Sequence, residues 1–311
     1  MKEGSLDAPV RHAIPWQGED FYDSEKLDEE LRRVFAVCHG CRRCFNLCDS
    51  FPKLFELIDD SKSGELDSVL SEDFKPVVNA CTLCDMCYMT KCPYVPPHEF
   101  NLDFPHLMLR YRAIQFKNGD IPFVNKELTK TDRNGKNFGK IASIVNWGSN
   151  RENLISRKIL ETTCDVHRDA SLPEFQKETF VKKQKNAPPT INTQAPAYGR
   201  KAVIYATCFV NYNNPSIGFA AQAVLNLNGV TTEVVYPSCC GMPQLEQGNI
   251  QEVARSAEKV AKELRSWVDD GNDIIALTPS CALMLKFEWP LILPENEDVR
   301  ALSGATFDID E

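Results

Sequence analysis

The sequence has few basic residues relative to acidic ones, and it has neither a long apolar run nor a secretory leader. Lysine and arginine together number 35 against 44 acidic residues. The resulting net charge of −9 argues against nucleic acid as a partner, because phosphate binding requires a basic surface. No run of about 18 apolar residues occurs, so we expect no membrane-spanning segment. The opening residues MKEGSLDAPVRH contain no apolar signal-peptide core, which indicates a cytoplasmic protein.

Common catalytic signatures are also absent. No G-x-G-x-x-G motif opens a helix, so we expect neither FAD nor NAD to bind to this chain. No paired carboxylates or Ser/His/Asp grouping indicates hydrolytic chemistry. Whether the chain is itself an enzyme is therefore left open, and a subunit of an oxidoreductase complex is the expectation.

Cysteine, by contrast, is abundant, and most of the 13 cysteines fall in two tight runs. The runs CHGCRRCFNLC and CTLCDMCYMTKCP contain Cys38, Cys41, Cys44 and Cys48, and Cys81, Cys84, Cys87 and Cys92. Two C-x2-C-x2-C triplets, each followed by a fourth cysteine, are typical of ferredoxins that bind two [4Fe–4S] clusters. The spacing therefore predicts one-electron transfer.

Each cluster needs a thiolate on each of four irons, and one tight loop can supply three of them. The fourth cysteine of each run is expected to bind the cluster of the other run. The predicted ligands of the first cluster are Cys38, Cys41, Cys44 and Cys92. Those of the second are Cys81, Cys84, Cys87 and Cys48. A zinc site is the alternative, but zinc sites use cysteine pairs rather than triplets. Disulfides are a weaker alternative, because dense cysteine in an intracellular protein indicates metal or redox chemistry.

The first part of the chain predicts a helical module. Residues 1–23 are polar and rich in proline, which favours an extended arm. Ser24 is the expected N-cap of the helix SEKLDEELRRVFAV, and the spacer between the runs contains helix-like pieces, PKLFELIDD and GELDSVLSEDF. PHLMLRYRAIQF is a further helix, with Arg110 and Arg112 expected to point outward. We predict an all-α ferredoxin domain with two clusters over residues 24–116.

A connecting region, 117–199, is expected to follow. Residues 117–140 are rich in Asn, Gly and Lys and predict a loop. Residues 141–161 predict one or two helices. Residues 181–199 are basic, contain prolines and predict a linker.

From residue 200 the pattern changes to that of an α/β domain, predicted over 200–311. KAVIYATC, VTTEVVYP and DIIALTP are buried strand patterns, separated by NPSIGFAAQAVLNLNG and by a long amphipathic helix that starts at Asn249. The alternation of strands and helices predicts a parallel sheet with right-handed crossovers.

A second group of cysteines follows the three strands. Its members are Cys208, Cys239, Cys240 and Cys281. Ligands of open parallel sheets bind beyond the carboxyl ends of the strands, so these thiols are the candidate catalytic or cluster-binding site. Gly241 would let the backbone approach an inorganic ligand closely. Buried structural cysteines and a strained, redox-active disulfide are the alternatives. Cys164 has no partner in this pattern.

The two runs followed by a cysteine-rich α/β domain resemble a known family. The chain is similar to the iron–sulfur subunits of anaerobic glycerol-3-phosphate dehydrogenase, of glycolate oxidase and of heterodisulfide reductase, which carry CCG domains. The likeness is most specific in CFVNYNNPSIG, SCCGMPQLEQGN and PSCALMLKFEWP. It implies that the ferredoxin module conducts electrons and that Cys208, Cys239, Cys240 and Cys281 hold a further iron–sulfur centre or redox-active thiols. It also implies a flavin-bearing dehydrogenase partner and a quinone or thiol acceptor, with peripheral contact at the inner face of the membrane.

The sequence departs from that family at two points. Thr278 stands where the fuller motif has a further cysteine ligand, which argues against a non-cubane cluster. The family carries two CCG repeats and this sequence has one, ending in ALSGATFDIDE, which resembles a connection to a second repeat. We expect a truncated chain rather than a single-repeat member.

These observations favour an electron-transfer subunit that links a flavin dehydrogenase to a quinone or a thiol/disulfide acceptor. A stand-alone oxidoreductase that reduces a disulfide or peroxide at the CCG site is the second hypothesis. A zinc-binding scaffold is the third.

Overall fold

The structure, a computed structural model, describes residues 4–186 and 190–311. The chain divides into two compact units: Met1–Ile121 with Gln244–Ile250, and Pro122–Pro243 with Gln251–Glu311. Residues 1–3 of the predicted arm and 187–189 of the predicted linker lie outside the described residues. Across the described ranges, none of the helices combines the length and apolarity needed to cross a membrane.

The first unit is helical, and its described residues contain no strand. Its helices are α1 (Ser24–Cys41), α2 (Ser50–Asp59), α3 (Lys75–Ala80) and α4 (Phe104–Asn118), with 3-10 turns at Glu19–Tyr22, Leu66–Ser68 and Ser71–Phe74 and a π-helical turn at Cys87–Lys91. Helix α1 buries the apolar face that the sequence predicts. Its N-cap is Asp23 rather than Ser24, since the Asp23 carboxylate accepts hydrogen bonds from the N–H groups of Glu25 and Lys26 at 2.9 and 3.0 Å.

The spacer between the cysteine runs is only partly helical. PKLFELIDD lies in α2 as predicted, but the helix expected in GELDSVLSEDF is wrong, because only two short 3-10 turns form there. Serine hydroxyls compete for the backbone in this segment. Ser61 Oγ and Ser68 Oγ both donate to the carbonyl of Glu65, at 3.0 and 3.3 Å. Such local bonds satisfy backbone groups without a helix.

The N-terminal arm runs along the segment that follows the second cysteine run. The N–H of Ser5 donates to the carbonyl of Pro93 at 2.8 Å, and that of Val10 to Pro96 at 3.0 Å. Ile14 and Phe21 of the arm are buried. The arm is therefore a packed part of the first unit.

Beyond residue 121 most of the chain is helical. The helices are α5 (Phe123–Leu128), α6 (Thr131–Lys140), α7 (Ala142–Ser149), α8 (Leu154–Cys164), α9 (Phe180–Lys185), α10 (Cys208–Tyr212), α11 (Pro215–Leu227), α12 (Met242–Glu246), α13 (Ile250–Asp269), α14 (Pro279–Leu283), α15 (Trp289–Ile292) and α16 (Glu297–Ala305), with a π-helical turn at Met284–Glu288. The helices expected over 141–161 correspond to α7 and α8.

The loop predicted over 117–140 is wrong, because α5 and α6 occupy most of it. The glycines that suggested a loop permit close helix packing. A Cβ atom on Gly135 would stand 2.3 Å from the Tyr212 ring, and one on Gly139 would stand 2.9 Å from the carbonyl oxygen of Gln176. These close contacts hold α6 beside the sheet domain, where it contacts α10.

The start of the predicted linker is also ordered. Phe180 opens α9 and is fully buried, with its ring against Gly218, where a Cβ atom would come within 2.5 Å. Its edge meets the Phe219 ring at a centroid distance of 5.1 Å. One buried aromatic residue therefore anchors a segment that is otherwise basic and polar.

A four-stranded parallel sheet forms the core of the second unit, as the sequence predicts for its first three strands. The strands are β1 (Lys201–Tyr205), β2 (Thr231–Val235), β3 (Asp273–Ala276) and β4 (Thr306–Asp308), in the order β2-β1-β3-β4. Ile204 pairs with Val234 on one side and with Ile275 on the other. The chain from Thr306 to Asp308, expected to be a connection, is instead an edge strand paired with β3.

Helix α13 covers the sheet through the face that its periodicity predicts. Val253, Ala257, Val260 and Leu264 are all buried. Because the strands are parallel, their carboxyl ends meet at one edge. The second group of cysteines follows these ends.

Candidate functional site

Three cysteines of the first run and one of the second surround a single cavity. Cys38 and Cys41 lie in the last turn of α1, Cys44 follows in the loop, and Cys92 comes from the second run. The cavity has about 300 Å³ of atom-free space, part of it open to solvent. Four thiols are thus brought together in the combination that the sequence assigns to the first cluster.

The rest of the cavity wall is mostly apolar. Its apolar lining comprises Val37, Phe51, Phe55, Pro93, Tyr94 and Leu102, and Arg43 adds one cation. Such a wall excludes water, which sets the dielectric around a bound metal centre and hence its reduction potential. The donor set and the wall together fit an iron–sulfur cluster.

Both cysteine runs bend through left-handed backbone. Five non-glycine residues of the described chain have positive φ, and three of them lie in the runs. Arg42 has φ of 53°, Leu83 of 50° and Asp85 of 59°. This conformation costs about 1–3 kcal/mol per residue and needs a structural reason. Concave turns that combine right- and left-handed residues point successive N–H groups at an anion, as at many iron–sulfur sites.

The predicted ligands of the second cluster also interact, although less uniformly. Burial raises the pKa of the Cys81 thiol to about 11, with Cys48 and Cys84 adding repulsion. Burial likewise raises the pKa of Cys87, and Cys81, Cys44 and Cys38 add to the shift. Cys84 is exposed, whereas Cys81 is buried. Because Cys87 interacts with thiols of both sets, the two sets are neighbours within the first unit.

Two buried arginines support the second run, and the sequence missed both roles. Arg112, expected to point outward, is 7% exposed. Its guanidinium donates to the carbonyl of Val78 at 2.6 Å and to that of Cys81. These carbonyls end α3 and would otherwise be buried without partners, which explains the inward orientation.

Arg11 of the arm holds Asp85, which lies between Cys84 and Cys87. The guanidinium donates to both Asp85 carboxylate oxygens, one of them at 3.0 Å, and to Asp103 Oδ2 at 2.8 Å. It also lies 4.6 Å from the centroid of the Tyr88 ring. Asp85 is 3% exposed, so its negative charge depends on this arginine.

The four cysteines of the second group meet in two pairs beyond the strand ends. Cys208 begins α10 after β1, Cys239 and Cys240 follow β2, and Cys281 lies in α14 after β3. The Sγ atoms of Cys208 and Cys239 are 3.7 Å apart, and those of Cys240 and Cys281 are 3.2 Å apart. All 13 cysteines lie in the described ranges and are free thiols.

The thiols of this group polarise one another. Hydrogen bonds from Cys208 and Cys240 lower the pKa of Cys239 well below its usual value, despite burial. The same bonds raise the pKa of Cys208 and of Cys240, and burial adds to both shifts. Proton sharing therefore favours a thiolate at Cys239, and a thiolate is both a metal ligand and a nucleophile.

An aspartate outside the strand region holds the backbone of this site. The N–H of Cys239 donates to Asp132 Oδ2 at 3.0 Å, and the Tyr236 hydroxyl donates to the other carboxylate oxygen. Asp132 belongs to α6, in the segment that the sequence assigns to a loop. No sequence pattern pointed to it, because its role depends on the packing of Gly135 against Tyr212.

Other side chains fix the CC pair from the opposite side. The Trp289 indole N–H donates to the carbonyl of Cys240 at 3.1 Å, and Ser256 Oγ donates to that of Cys239 at 2.8 Å. Gly241 has φ of 86°, a left-handed conformation that favours glycine. The turn after the cysteines is thus rigidly held.

The position of the missing ligand is occupied by a threonine pair. Thr278 Oγ1 lies 2.9 Å from Thr207 Oγ1, and Thr207 also caps α10 in front of Cys208. Two buried hydroxyl oxygens near the thiols, Ser238 Oγ and Thr131 Oγ1, have no hydrogen-bond partner among residues 4–186 and 190–311. A ligand held by the four thiols would fit this donor environment.

Comparison with known proteins places the cysteine-rich region in a recognised domain family. Residues 202–286 match the family described as a cysteine-rich domain, CCG. This range contains Cys208, Cys239, Cys240 and Cys281 but not Asp132. No solved structure matches the chain.

Three curated proteins are similar to parts of the chain. One of the subunits of anaerobic glycerol-3-phosphate dehydrogenase from Escherichia coli K12 is 27% identical over 180 residues, 57% of this chain and 43% of that protein. Citrate utilization protein B of Escherichia coli is 32% identical over 91 residues, 29% of this chain and 21% of that protein. Lactate utilization protein A of Bacillus pumilus is 27% identical over 118 residues, 36% of this chain and 47% of that protein. The matched region thus spans less than half of each relative, and the predicted resemblance to the CCG-domain family is confirmed.

Proposed function

We propose that the chain is an iron–sulfur electron-transfer subunit working between a flavin dehydrogenase partner and a quinone or a thiol/disulfide acceptor. When bound, two [4Fe–4S] clusters would supply one-electron transfer. Cys38, Cys41, Cys44 and Cys92 would hold the first. Cys81, Cys84, Cys87 and Cys48 would hold the second.

The observation that carries this proposal is the cavity lined by Cys38, Cys41, Cys44 and Cys92. A thiol from the second run completes the set of the first, which is the ligand exchange typical of two-cluster ferredoxins. A zinc site would require its ligands to converge on one point. Among the described residues, no three Cys, His, Asp or Glu side chains converge in this way. The geometry thus favours a multinuclear centre over a single ion.

The CCG site is proposed as the place where electrons leave or enter the chain. Cys208, Cys239, Cys240 and Cys281 would hold a further iron–sulfur centre or act as redox thiols. The family match over 202–286 and the donor environment of the thiols support this role. The name of the relative from Escherichia coli K12, part of a dehydrogenase, supports a dehydrogenase partner. We place the protein in the cytoplasm, with peripheral contact at the inner face of the membrane.

A second candidate function is the reduction of a disulfide or peroxide by this chain alone. The 3.2 Å separation of Cys240 Sγ and Cys281 Sγ and the lowered pKa of Cys239 favour it. The two functions differ in a direct assay. Rapid reoxidation of the dithionite-reduced protein by a small disulfide or by peroxide would support the stand-alone enzyme, and reoxidation only through a flavoprotein or quinone would support the electron-transfer role.

The ligand assignment is tested with matched cysteine variants. Cys84→Ser should lose one cluster, about four irons per chain, and with it one of the two reduced-state EPR signals. Cys164→Ser is the control, because Cys164 lies outside both groups, at the end of α8. Equal iron content in the two variants would overturn the assignment.

A further inference from the structure

Helices α7 and α8 expose large apolar side chains. Ile144 and Trp147 of α7 are 67% and 68% exposed, and Leu154, Ile155 and Ile159 of α8 are 76%, 78% and 57% exposed. Isolated exposed apolar residues are ordinary, but a concentration of them indicates an interaction surface. These five residues of two consecutive helices are called the hairpin patch below.

The inner side of the same hairpin is polar. Arg157 of α8 is 1% exposed and donates to the carbonyls of Arg168 at 2.8 Å and Ala170 at 2.7 Å. It also donates to the Ser149 carbonyl at 3.2 Å, at the end of α7. A hairpin that buries an arginine while exposing tryptophan and isoleucine reverses the usual arrangement of an amphipathic helix. Its apolar outer side is therefore not left over from core formation.

Basic residues surround the hairpin patch. Lys136, Lys140, Arg151 and Lys158 are exposed and form no ion pair within the described part of the chain. Glu152 is the one acidic residue between positions 136 and 160. This local excess of positive charge stands in a chain whose net charge is −9.

We propose that the α7–α8 hairpin docks on an anionic phospholipid surface. Tryptophan and isoleucine beside lysine and arginine are the composition of helices that lie in the membrane–water interface. Each basic side chain near an anionic leaflet contributes an attraction that salt weakens. An acidic or neutral protein partner could use the apolar residues, but lipid uses both the apolar side chains and the unpaired cations. The proposal names the contact surface and does not rest on the cluster assignment.

Vesicle flotation of the full iron-loaded chain tests this docking. The wild-type protein should float with vesicles of phosphatidylcholine and phosphatidylglycerol, and much less with vesicles of phosphatidylcholine alone. Trp147 is the exposed member of the four tryptophans, so its emission should shift to shorter wavelength on binding. High salt should reduce both signals.

Matched surface variants locate the contact. Trp147→Glu with Ile155→Glu should abolish flotation. The control is Leu227→Glu on α11, where a leucine of 67% exposure lies away from the hairpin. Lys158→Gln should weaken vesicle binding about fivefold, the equivalent of ~1 kcal/mol per cation. Ile155→Ser serves as a milder change if the double variant fails to fold.

The possible results separate cleanly. Loss of flotation in the double variant and not in the control supports the docking surface. No flotation of the wild type, or equal flotation of the double variant, would overturn it. If the hairpin variants instead convert a dimer to a monomer or lose only a co-purifying flavoprotein, the patch is a protein interface and the lipid proposal is wrong.

Discussion

Replacing Arg11 with alanine should destabilise the first unit and disturb the second cysteine run. Arg11 is 9% exposed and its guanidinium faces two carboxylates, Asp85 and Asp103. Asp85 is 3% exposed and lies between two proposed cluster ligands. Without Arg11, a buried negative charge would stand uncompensated beside anionic thiolates.

The size of the effect follows from burial. Removing one partner of a buried ion pair costs about 3–5 kcal/mol, because the remaining charge stays desolvated. For a unit of this size that is a fall of roughly 10–20 °C in the thermal midpoint. The same unpaired charge should lower the reduction potential of a neighbouring cluster, since it opposes the added electron.

The assay is scanning calorimetry of anaerobically purified protein, with all variants at one scan rate. Arg33→Ala is the control: this arginine is 41% exposed and pairs with Glu30 at 2.7 Å, so its removal should cost about 1 kcal/mol or less. Adding Asp85→Asn to Arg11→Ala should recover part of the loss, since the buried charge is then gone. A loss no larger than that of the control, or no recovery in the double variant, would refute the reasoning.

Three further predictions concern the thiol site and the response to acid. Cys240→Ala should leave both reduced-state EPR signals of the first unit intact while abolishing turnover with the physiological acceptor; surviving turnover would make the CCG thiols structural. Asp132→Ala should lower the unfolding free energy by about 1–3 kcal/mol, because the Cys239 N–H and the Tyr236 hydroxyl lose their acceptor, and an unchanged urea midpoint would contradict this. Burial alone would raise the pKa of Asp103, but His106 and Arg11 hold it well below its usual value. Its stabilising contribution is therefore present above about pH 4 and is lost as the pH falls toward the folded pKa, so the stability advantage of wild type over Asp103→Asn should shrink below about pH 4 in urea titrations.

Local sequence patterns predict the elements whose signals are local. The period of apolar residues in α1, α4 and α13 and the strand patterns of β1 to β3 correspond to the structure, because each element buries one continuous face. The grouping of Cys208, Cys239, Cys240 and Cys281 also follows from topology alone. In a parallel sheet, residues far apart in sequence meet at the same edge.

The features that sequence reasoning missed depend on distant contacts. Gly135 and Gly139 indicate a loop by composition, yet they serve close packing in α6. That packing brings Asp132 to Cys239, although Asp132 lies in a segment with no motif. Arg112 has the spacing of an outward residue, and only the carbonyl groups of α3 and Cys81 explain why it is buried.

The ends of secondary-structure elements were missed for a similar reason. Thr306–Asp308 is too short for a strand pattern, and it becomes a strand because β3 offers it a free edge. Conversely, residues 64–74 have helical periodicity, but serine hydroxyls bind the backbone there. Short-range hydrogen bonds thus overrode the apolar pattern in one place, and sheet pairing overrode its absence in the other.

The central claim is that the two cysteine runs hold two [4Fe–4S] clusters. Iron and acid-labile sulfide analysis combined with EPR of the dithionite-reduced, anaerobically purified chain tests it most directly. The account predicts about eight irons or more per chain and two magnetically interacting signals. Stoichiometric zinc, or fewer than about four irons per chain, would contradict it.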